Sequence, residues 1–554
     1  MSIKKYIIKM EDSIQKKIFY KSIFNNNEKE DFHEQILENK LSSRKKKLFQ
    51  LLMQKRIANT FILKEEEKNP QNQLSKVSIL IHKEDYDNIQ NGLNLFYYFL
   101  INNKKLEKEN INYIFENIYY RLLDIISSNK SFGENKHMNK ILFLVNYLTT
   151  ENNIFIGPIT EKLFLSNLKK IIEINIKNNI FINMIIPLLS DILIDKKKFV
   201  QIMNEINVIE IMKIKIEQKN NDKDNIEQLL ILMNNFIMNI NKEMTHKFKF
   251  ILEYVLNIFN NNDIINDVNN FNNDDSLIMN SIFDILIYMA NDKKNINLIK
   301  NKNCLLFIKN IINNKININL HIYLLKCYEL LSNILMNTVN FDNKKEIISY
   351  LYSNSENINL SIRLPFIDEL IESIKNKNKS LIYIFLNCIN SLINNCDQFC
   401  EEYCSYNNFA NILIDLFNNK ILKKIKNEII IFFINIIEVN NIKIYKYLLN
   451  TELFSTIISY LNKKLKSKNN STNVIIYNII YFINKCLLMG NEKDKEEMIN
   501  MLNKNKFKEV VENLIENKDE SISNISRSIF IKYFSEPENI YRKDDNNNDN
   551  MIIE

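Results

Sequence analysis

A recurring pattern of about 45 residues constrains the fold of this chain more than any other feature. Three stretches superpose on one another: Ile282 to Asn314, Phe385 to Asn419 and Phe432 to Lys464. Each has an apolar helix end, a polar turn, a short helix, a break and a second apolar helix. Repeats of this length bury their apolar faces only by stacking on their neighbours. The sequence therefore predicts a repeat array and not a set of independent globular cores.

The pattern can be followed along most of the chain through one marker position in the penultimate turn of each apolar helix. Successive markers lie about 44 to 58 residues apart, near the period of armadillo and HEAT repeats, and the longer gaps contain insertions. Roughly nine or ten units fit between residues 76 and 534. The markers are Asn102, Asn146, Asp191, Asn235, Tyr288, Asn333, Ser391, Asn435 and Asn484.

Composition agrees with a helical array. The 554 residues include only four Gly and five Pro, so the chain cannot build the many tight turns of an all-β fold. Ile-rich helices are individually weak because β-branched side chains lose rotamer freedom, so packing between repeats must supply most of the stability. We predict an all-α fold, a right-handed α-solenoid of about nine or ten armadillo/HEAT-like repeats.

Both ends of the chain differ from the array. No Asp or Glu occurs between Asn39 and Lys64, a stretch that contains eight basic residues. The polar, Pro-containing sequence KEEEKNPQNQ follows and is typical of a linker. We therefore predict a basic N-terminal segment plus linker over residues 1–75, the array over residues 76–534, and a disordered polar and acidic tail over residues 535–554.

The sequence carries no recognisable catalytic motif. It has no Gly-rich phosphate loop, no nucleophile elbow and no His pair at metal-binding spacing, so we predict no enzyme activity and no cofactor. Cys396, Cys400 and Cys404 have the spacing of one helix face. A zinc site would need a fourth ligand, for which Cys388 is the only candidate nearby, so a buried apolar face is the favoured interpretation.

The seven cysteines, all in the second half of the chain, do not form the framework of a small secreted domain. No signal peptide or membrane-spanning segment is recognisable, since the longest apolar run is too short to cross a bilayer. We predict a cytoplasmic or nuclear protein.

Armadillo arrays offer a groove lined by the last helix of every repeat, which can hold an extended peptide. Asn suits such a groove because its amide can donate to a peptide carbonyl and accept from a peptide N–H. Asn is roughly one residue in six here, so some matches at the markers are accidental. The candidate groove residues are Asn146, Asp191, Asn235, Asn333, Asn435 and Asn484.

The order of these parts resembles the importin-α family of nuclear-import adaptors, which join a basic importin-β-binding segment to about ten armadillo repeats and an acidic tail. ELLSNIL around Asn333 is similar to the family's repeated WALSNIA helix, and LLSDIL around Asp191 is a weaker copy. The residues of the basic segment that match the family's pattern, and that the resemblance assigns to an importin-β-like receptor, are Arg44, Lys45, Lys47, Leu52, Met53, Lys55 and Arg56.

The resemblance implies an adaptor that carries protein cargo, bound in extended form, into the nucleus. Family members hold cargo lysines between Trp rings one turn before the groove Asn, whereas this chain has no Trp. A structural armadillo scaffold without a transport role is therefore the alternative. The positions one turn before the markers are Leu142, Pro187, Ile231, Asp284, Glu329, Asn387, Ile431 and Ile480.

The basic segment has further interpretations. It could lie on RNA, on an acidic membrane or in the array's own groove, or act as a localisation signal of the chain itself. Of these partners nucleic acid is the least favoured, because the net charge of +7 is small for so long a chain. No small-molecule substrate is predicted.

Overall fold

A computed structural model describes thirteen stretches of the chain, with short gaps between them. The described stretches are residues 69–103, 106–128, 136–218, 223–260, 276–313, 321–338, 340–352, 366–394, 396–406, 409–419, 423–439, 441–465 and 473–535. The basic segment with Arg44 to Arg56 and the acidic tail beyond residue 535 lie outside them. The described chain divides into two compact units, an N-terminal unit that ends at Ile299 and a C-terminal unit that begins at Lys300.

The N-terminal unit is helical in all its described elements. Its α-helices are α1 Pro70–Ile81, α2 Tyr86–Asn102, α3 Lys108–Ile114, α4 Tyr120–Ser128, α5 Lys136–Glu151, α6 Ile156–Ile159, α7 Lys162–Asn175, α8 Asn179–Ile192, α9 Phe199–Glu205, α10 Val208–Glu217, α11 Lys223–Ile237, α12 Lys249–Asn260, α13 Ser276–Met289 and α14 Ile296–Ile299. A π-helical turn, Phe115–Tyr119, joins α3 to α4, and 3-10 turns span Asn153–Phe155, Lys242–Phe248 and Lys293–Asn295.

The C-terminal unit repeats the same plan. Its helices are α15 Lys302–Asn313, α16 His321–Asn337, α17 Phe341–Tyr352, α18 Ile367–Lys375, α19 Lys379–Ile393, α20 Asp397–Ser405, α21 Phe409–Asn418, α22 Lys423–Glu438, α23 Ile442–Leu449, α24 Leu453–Leu465, α25 Asn473–Met489, α26 Glu492–Lys504, α27 Phe507–Ile515 and α28 Glu520–Tyr533.

Within each unit the helices form repeats of a first helix, a middle helix and a long last helix, as in α20, α21 and α22. Successive long helices pack on one another: α2, α5, α8, α11 and α13 in the N-terminal unit, and α16, α19, α22, α25 and α28 in the C-terminal unit. Every predicted marker lies in one of these long helices. The predicted helical period is therefore confirmed.

The long helices of the C-terminal unit run parallel. The hydroxyl oxygens of Ser332 on α16 and Ser391 on α19 are 2.9 Å apart, and the thiol of Cys388 donates to the carbonyl of Tyr328 one turn earlier. From the first pair to the second, the residue number rises on both helices, so the two helices point in the same direction. Consequently α16 and α19 begin at the same edge of the stack.

Asn and Asp begin many of these helices. Asn178, Asn378 and Asn441 are examples in which the side-chain oxygen accepts a hydrogen bond from a first-turn amide of the helix that follows. Such caps satisfy amides that have no partner within the helix and stabilise it by about 1 kcal/mol each. Part of the abundant Asn thus has a local structural use.

The first described helix begins at Pro70, inside the segment that the sequence predicts as a linker. Proline at the first helical position has a suitable φ and needs no amide partner, and Asn69 caps the helix by accepting from the amide of Gln71 at 3.0 Å. Three apolar side chains of α1, Leu74, Val77 and Ile81, are fully buried. Residues 70–75 therefore belong to a packed helix.

Gly92 lies in the middle of α2, where α1 packs very closely. A Cβ atom at this position would lie 2.7 Å from Cγ2 of Ile81 and 3.1 Å from the amide nitrogen of the same residue. Glycine weakens a helix by roughly 1 kcal/mol relative to alanine, so its presence here is explained by the close approach of α1.

The cysteines of α20 pack into the interior. Cys400 is fully buried and Cys396, the residue before the helix, is nearly so, while Cys404 is half-buried. Burial raises the pKa of the Cys400 thiol and raises that of Cys404 to about 12. These thiols behave as small apolar side chains, as the favoured interpretation expects. The described ranges contain no group of three or more His, Cys, Asp or Glu arranged to hold a metal ion.

A buried lysine joins the first and last helices of one repeat. Lys344 on α17 is 1% exposed, and its ammonium donates to the carbonyls of Ser391, Leu392 and Asn394 at 2.8, 3.0 and 2.9 Å. These carbonyls lie at the C-terminal end of α19, where a helix carries partial negative charge. Burial lowers the pKa of Lys344 to about 8.

Candidate functional site

The long helices present one surface that the middle helices leave uncovered, which we call the long-helix face. On α25 its half-exposed or exposed members are Tyr477, Tyr481, Asn484 and Leu488, at the three- and four-residue spacing of one helix side. Because neighbouring long helices pack side by side, the face of each unit crosses several repeats. No described helix is long and apolar enough to cross a membrane.

In the N-terminal unit, three of the predicted groove residues connect neighbouring long helices. Asn146 is 4% exposed and donates to the carbonyl of Met184 at 2.9 Å. Asn235 donates to the carbonyl of Ser190 at 2.9 Å. The carboxylate of Asp191 is fully buried and accepts from the Thr149 hydroxyl at 2.7 Å. The amide nitrogens of both Asn side chains are thus engaged in holding the stack together.

In the C-terminal unit, Asn333, Asn435 and Asn484 lie on three different long helices. Asn333 and Asn484 are half-buried and face the surface. Asn435 is 6% exposed, and its Nδ2 has no hydrogen-bond acceptor among the described residues. The peptide-binding role of all six residues stays a prediction.

The positions one turn before the markers differ in their exposure. Four of them are buried, namely Leu142, Ile231, Ile431 and Ile480, and these cannot line the long-helix face. Asp284, Glu329 and Asn387 are half-exposed. The helices are therefore rotated differently from the pattern of the importin-α resemblance at several repeats.

Aromatic side chains do reach the long-helix face, but at other positions. The rings of Tyr477 and Tyr481 stack with centroids 6.1 Å apart, and the ammonium of Lys485 lies 5.2 Å from the Tyr481 centroid. The Tyr481 hydroxyl donates to the Glu438 carboxylate at 3.2 Å. The contact between Lys485 and Tyr481 is a cation–π contact, so such contacts form on this surface without Trp.

Two carboxyl groups and a phenol, those of Glu329, Glu428 and Tyr383, lie on three successive long helices, α16, α22 and α19. Glu428 on α22 is 6% exposed, and its Oε2 accepts from Nδ2 of Asn390 on α19 at 2.9 Å. Burial raises the pKa of the Glu428 carboxyl to about 7, although the hydrogen bond from Asn390 opposes the shift. Burial also raises the pKa of Tyr383, and the nearby charges of Glu428 and Glu329 contribute to that shift.

We call this part of the long-helix face the acidic tyrosine face. Its members supply carboxylates, phenol hydroxyls and ring faces, which suit the binding of a cation and of an extended chain. Its half-exposed members are Glu329, Tyr383, Glu438, Tyr477 and Tyr481. Glu428 is buried and belongs to the group through its charge, which acts on Tyr383.

The sequence alone did not predict this group of residues. A usable signal exists in α25, where Tyr477, Tyr481 and Lys485 recur every four residues in a helix that is otherwise rich in isoleucine. Glu428 gives no such signal, because its burial follows from contacts with a helix almost one repeat away.

Comparison with known proteins supports the fold but identifies no family. No protein-family model and no curated protein sequence matches this chain. Among solved structures, it is similar to one from work on a phosphorylation switch that controls the interaction between cadherin and β-catenin. The TM-score is 0.51 at 8% sequence identity, over 83% of this chain and 85% of that chain. The predicted all-α, armadillo-like solenoid is thereby confirmed, whereas membership of the importin-α family is not shown.

Proposed function

We propose that the chain is an armadillo-type scaffold whose acidic tyrosine face binds an extended, basic segment of another protein. The observation that carries this proposal is the position of Glu428, a buried carboxyl whose one hydrogen-bond partner among the described residues is the amide of Asn390. A buried ionised carboxylate is costly unless a cation pairs with it. A lysine or arginine side chain of a partner would provide that cation.

The surrounding side chains favour the same ligand. Tyrosine rings attract a cation by about 0.5 to 2 kcal/mol and also cover its aliphatic stem. Long helices pack about 8 to 10 Å apart, and an extended peptide advances about 3.3 Å per residue, so every third residue of the partner reaches the next repeat. The proposal assigns binding, and no reaction, to this surface.

We expect Glu428→Gln to weaken the binding of a short fluorescent peptide that has lysine at every third position. The loss should be about tenfold, equal to about 1.4 kcal/mol, because the variant cannot become charged. Binding by the parent should tighten as the pH rises from about 6 to about 8, since the carboxyl ionises over that range, and the variant should lose this dependence. Anisotropy titrations of the full chain measure both effects.

The same substitution should stabilise the C-terminal unit above pH 7. The pKa of Glu428 is about 7 in the folded chain, above its ordinary value, so the unfolded chain releases its proton first as the pH rises. Stability therefore falls between the ordinary pKa and about 7, by on the order of 3 kcal/mol. The Glu428→Gln variant escapes this loss, so its urea midpoint above pH 7 should exceed that of the parent.

Exposed Glu452 provides the matched control, since Glu452→Gln removes the same charge away from the acidic tyrosine face. It should change neither the peptide affinity nor the urea midpoint. Equal affinities for the parent and Glu428→Gln at all pH values would remove the proposed binding role of this face.

A nuclear-import adaptor is the narrower form of the proposal, with a cytoplasmic and nuclear location. It is supported by the match of the basic segment to the importin-β-binding pattern, although that segment lies outside the described residues. Titration of the full chain against importin-β should show binding that is lost when Arg44, Lys45, Lys47, Lys55 and Arg56 are changed to Glu. If neither the parent chain nor the variant binds importin-β, only the scaffold function remains as the proposal.

A further inference from the structure

Three successive turns of the C-terminal unit, each between a middle helix and a long helix, are rich in lysine. They join α18 to α19, α21 to α22, and α24 to α25. We call their described lysines the lysine edge, and six of the eight are exposed, with Lys426 and Lys464 half-buried. The lysine edge consists of Lys375, Lys377, Lys379, Lys423, Lys424, Lys426, Lys463 and Lys464.

Acidic residues are missing from the sequence around each of these turns. No Asp or Glu occurs over residues 373–396, 416–427 or 453–491. At the other end of the long helices, three of the four described helices that follow carry an acid in the first turn, namely Asp342, Asp397 and Glu492, whereas α23 carries Lys443 there. The concentration of lysine is confined to these three turns, because the turn before α28 contains Glu516 and Asp519.

The helix ends that flank the second and third turns lie side by side. Nδ2 of Asn478 on α25 donates to Oδ1 of Asn427 on α22 at 2.9 Å, near the start of both helices. The ammonium of Lys426 lies 4.8 Å from the ring centroid of Phe417 on α21 and 5.2 Å from that of Tyr460 on α24. These contacts connect the second turn directly to the third.

Several of these lysines lie where a positive charge is unfavourable for the helix. Lys379, Lys423 and Lys424 occupy the first turns of long helices, where the partial positive charge of the helix end makes a cation unfavourable by about 0.3 to 1 kcal/mol. Lys463 and Lys464 crowd Lys426, and burial together with these two charges lowers its pKa. A polyanion bound at the lysine edge would offset these unfavourable interactions.

The geometry favours an acidic protein segment over a nucleic acid. Neighbouring long helices are about 8 to 10 Å apart, which matches an acidic residue at every third position of an extended chain. Single-stranded nucleic acids also require aromatic rings on which bases can stack. Phe417 is 2% exposed and Tyr460 is half-buried, and lysine ammonium groups lie over both rings.

We infer that the lysine edge binds an extended acidic segment of a partner protein that carries carboxylate or phosphate groups at about every third residue. This surface is separate from the acidic tyrosine face and takes a ligand of the opposite charge. One partner chain with alternating basic and acidic stretches could therefore contact both surfaces. The two surfaces are tested with different peptides, so failure of one peptide to bind does not affect the proposal for the other surface.

The test uses the full chain and a short fluorescent peptide with glutamate at every third position. We expect binding that weakens as salt is added, because the exposed ion pairs are screened. The edge variant carries Lys375→Gln, Lys379→Gln, Lys424→Gln and Lys463→Gln. Exposed ion pairs contribute about 0.2 to 1 kcal/mol each, so this variant with four substitutions should bind at least about fourfold more weakly.

The control variant removes the same number of charges from exposed lysines elsewhere in the C-terminal unit, with Lys345→Gln, Lys443→Gln, Lys493→Gln and Lys504→Gln. It should bind the acidic peptide like the parent. Unchanged circular dichroism and melting temperature of both variants confirm that they fold.

Equal losses in the two variants would overturn the inference, because net charge and not the lysine edge would then control binding. Absence of binding by the parent would overturn it as well. A single-stranded RNA of matched length should bind more weakly than the peptide. If the RNA binds more tightly than the peptide and the edge variant no longer binds the RNA, the lysine edge is a nucleic-acid site and the proposal of a protein partner is wrong.

Discussion

Lys344→Ala is expected to open the end of α19 and to cause the largest local loss of stability in the C-terminal unit. The substitution removes the donor of three buried carbonyls, and each unsatisfied group costs about 1 kcal/mol or more. It also leaves a cavity where the side chain lay. The free energy of local opening should fall by about 3 kcal/mol.

Hydrogen exchange measured by mass spectrometry on the full chain tests this expectation. A fall of about 3 kcal/mol corresponds to exchange roughly a hundred times faster in the peptides that cover residues 379–394. Lys344→Met, which keeps the aliphatic volume without the donors, should retain most of the effect. The neighbouring residue Lys345 is exposed, so Lys345→Ala should leave the rates unchanged. Normal protection in both Lys344 variants would show that water replaces the ammonium without loss.

Gly92→Val is expected to release α1 from the N-terminal unit. A Cβ at this position already lies within 3.1 Å of the backbone of Ile81, and the two extra methyl groups of valine cannot be accommodated unless α1 moves. Overpacking of this kind costs about 1 to 3 kcal/mol, and the backbone contact places this site at the upper end. Exchange in the peptides that cover residues 70–81 should accelerate by about a hundredfold.

Gly157 supplies the control for this experiment, because a Cβ there has no atom within 4 Å. Gly157→Ala should leave exchange in α1 at the parental rate. Unchanged protection of α1 in Gly92→Val would mean that α2 bends away at small cost and that glycine is not required at this contact.

The fold class could be predicted from the sequence because its causes are local or periodic. The scarcity of Gly and Pro favours helix, and a period of about 45 residues repeats the same helix order along the chain. Every marker from Asn102 to Asn484 consequently lies in a long helix. The start of α1 at Pro70 was missed because proline begins a helix as readily as it interrupts one.

The candidate site could be predicted only in part. The long helices were identified as the groove-forming elements, but the residues of each helix that face the surface were not. Because an α-helix has 3.6 residues per turn, a shift of one position rotates a side chain by about 100°. That rotation separates buried Ile480 from half-exposed Tyr481.

The sequence by itself determined the repeat, the helical class and the charge of each segment, since these depend on residue type and spacing. Only the tertiary structure decided that Glu428 and Lys344 are buried, that Asn146 holds two helices together, and that the helix ends flanking two of the lysine-rich turns lie side by side. The physical reason is that burial and proximity arise from contacts between residues about one repeat apart in the chain. A periodic pattern fixes the order of such helices but not the angle at which each one packs.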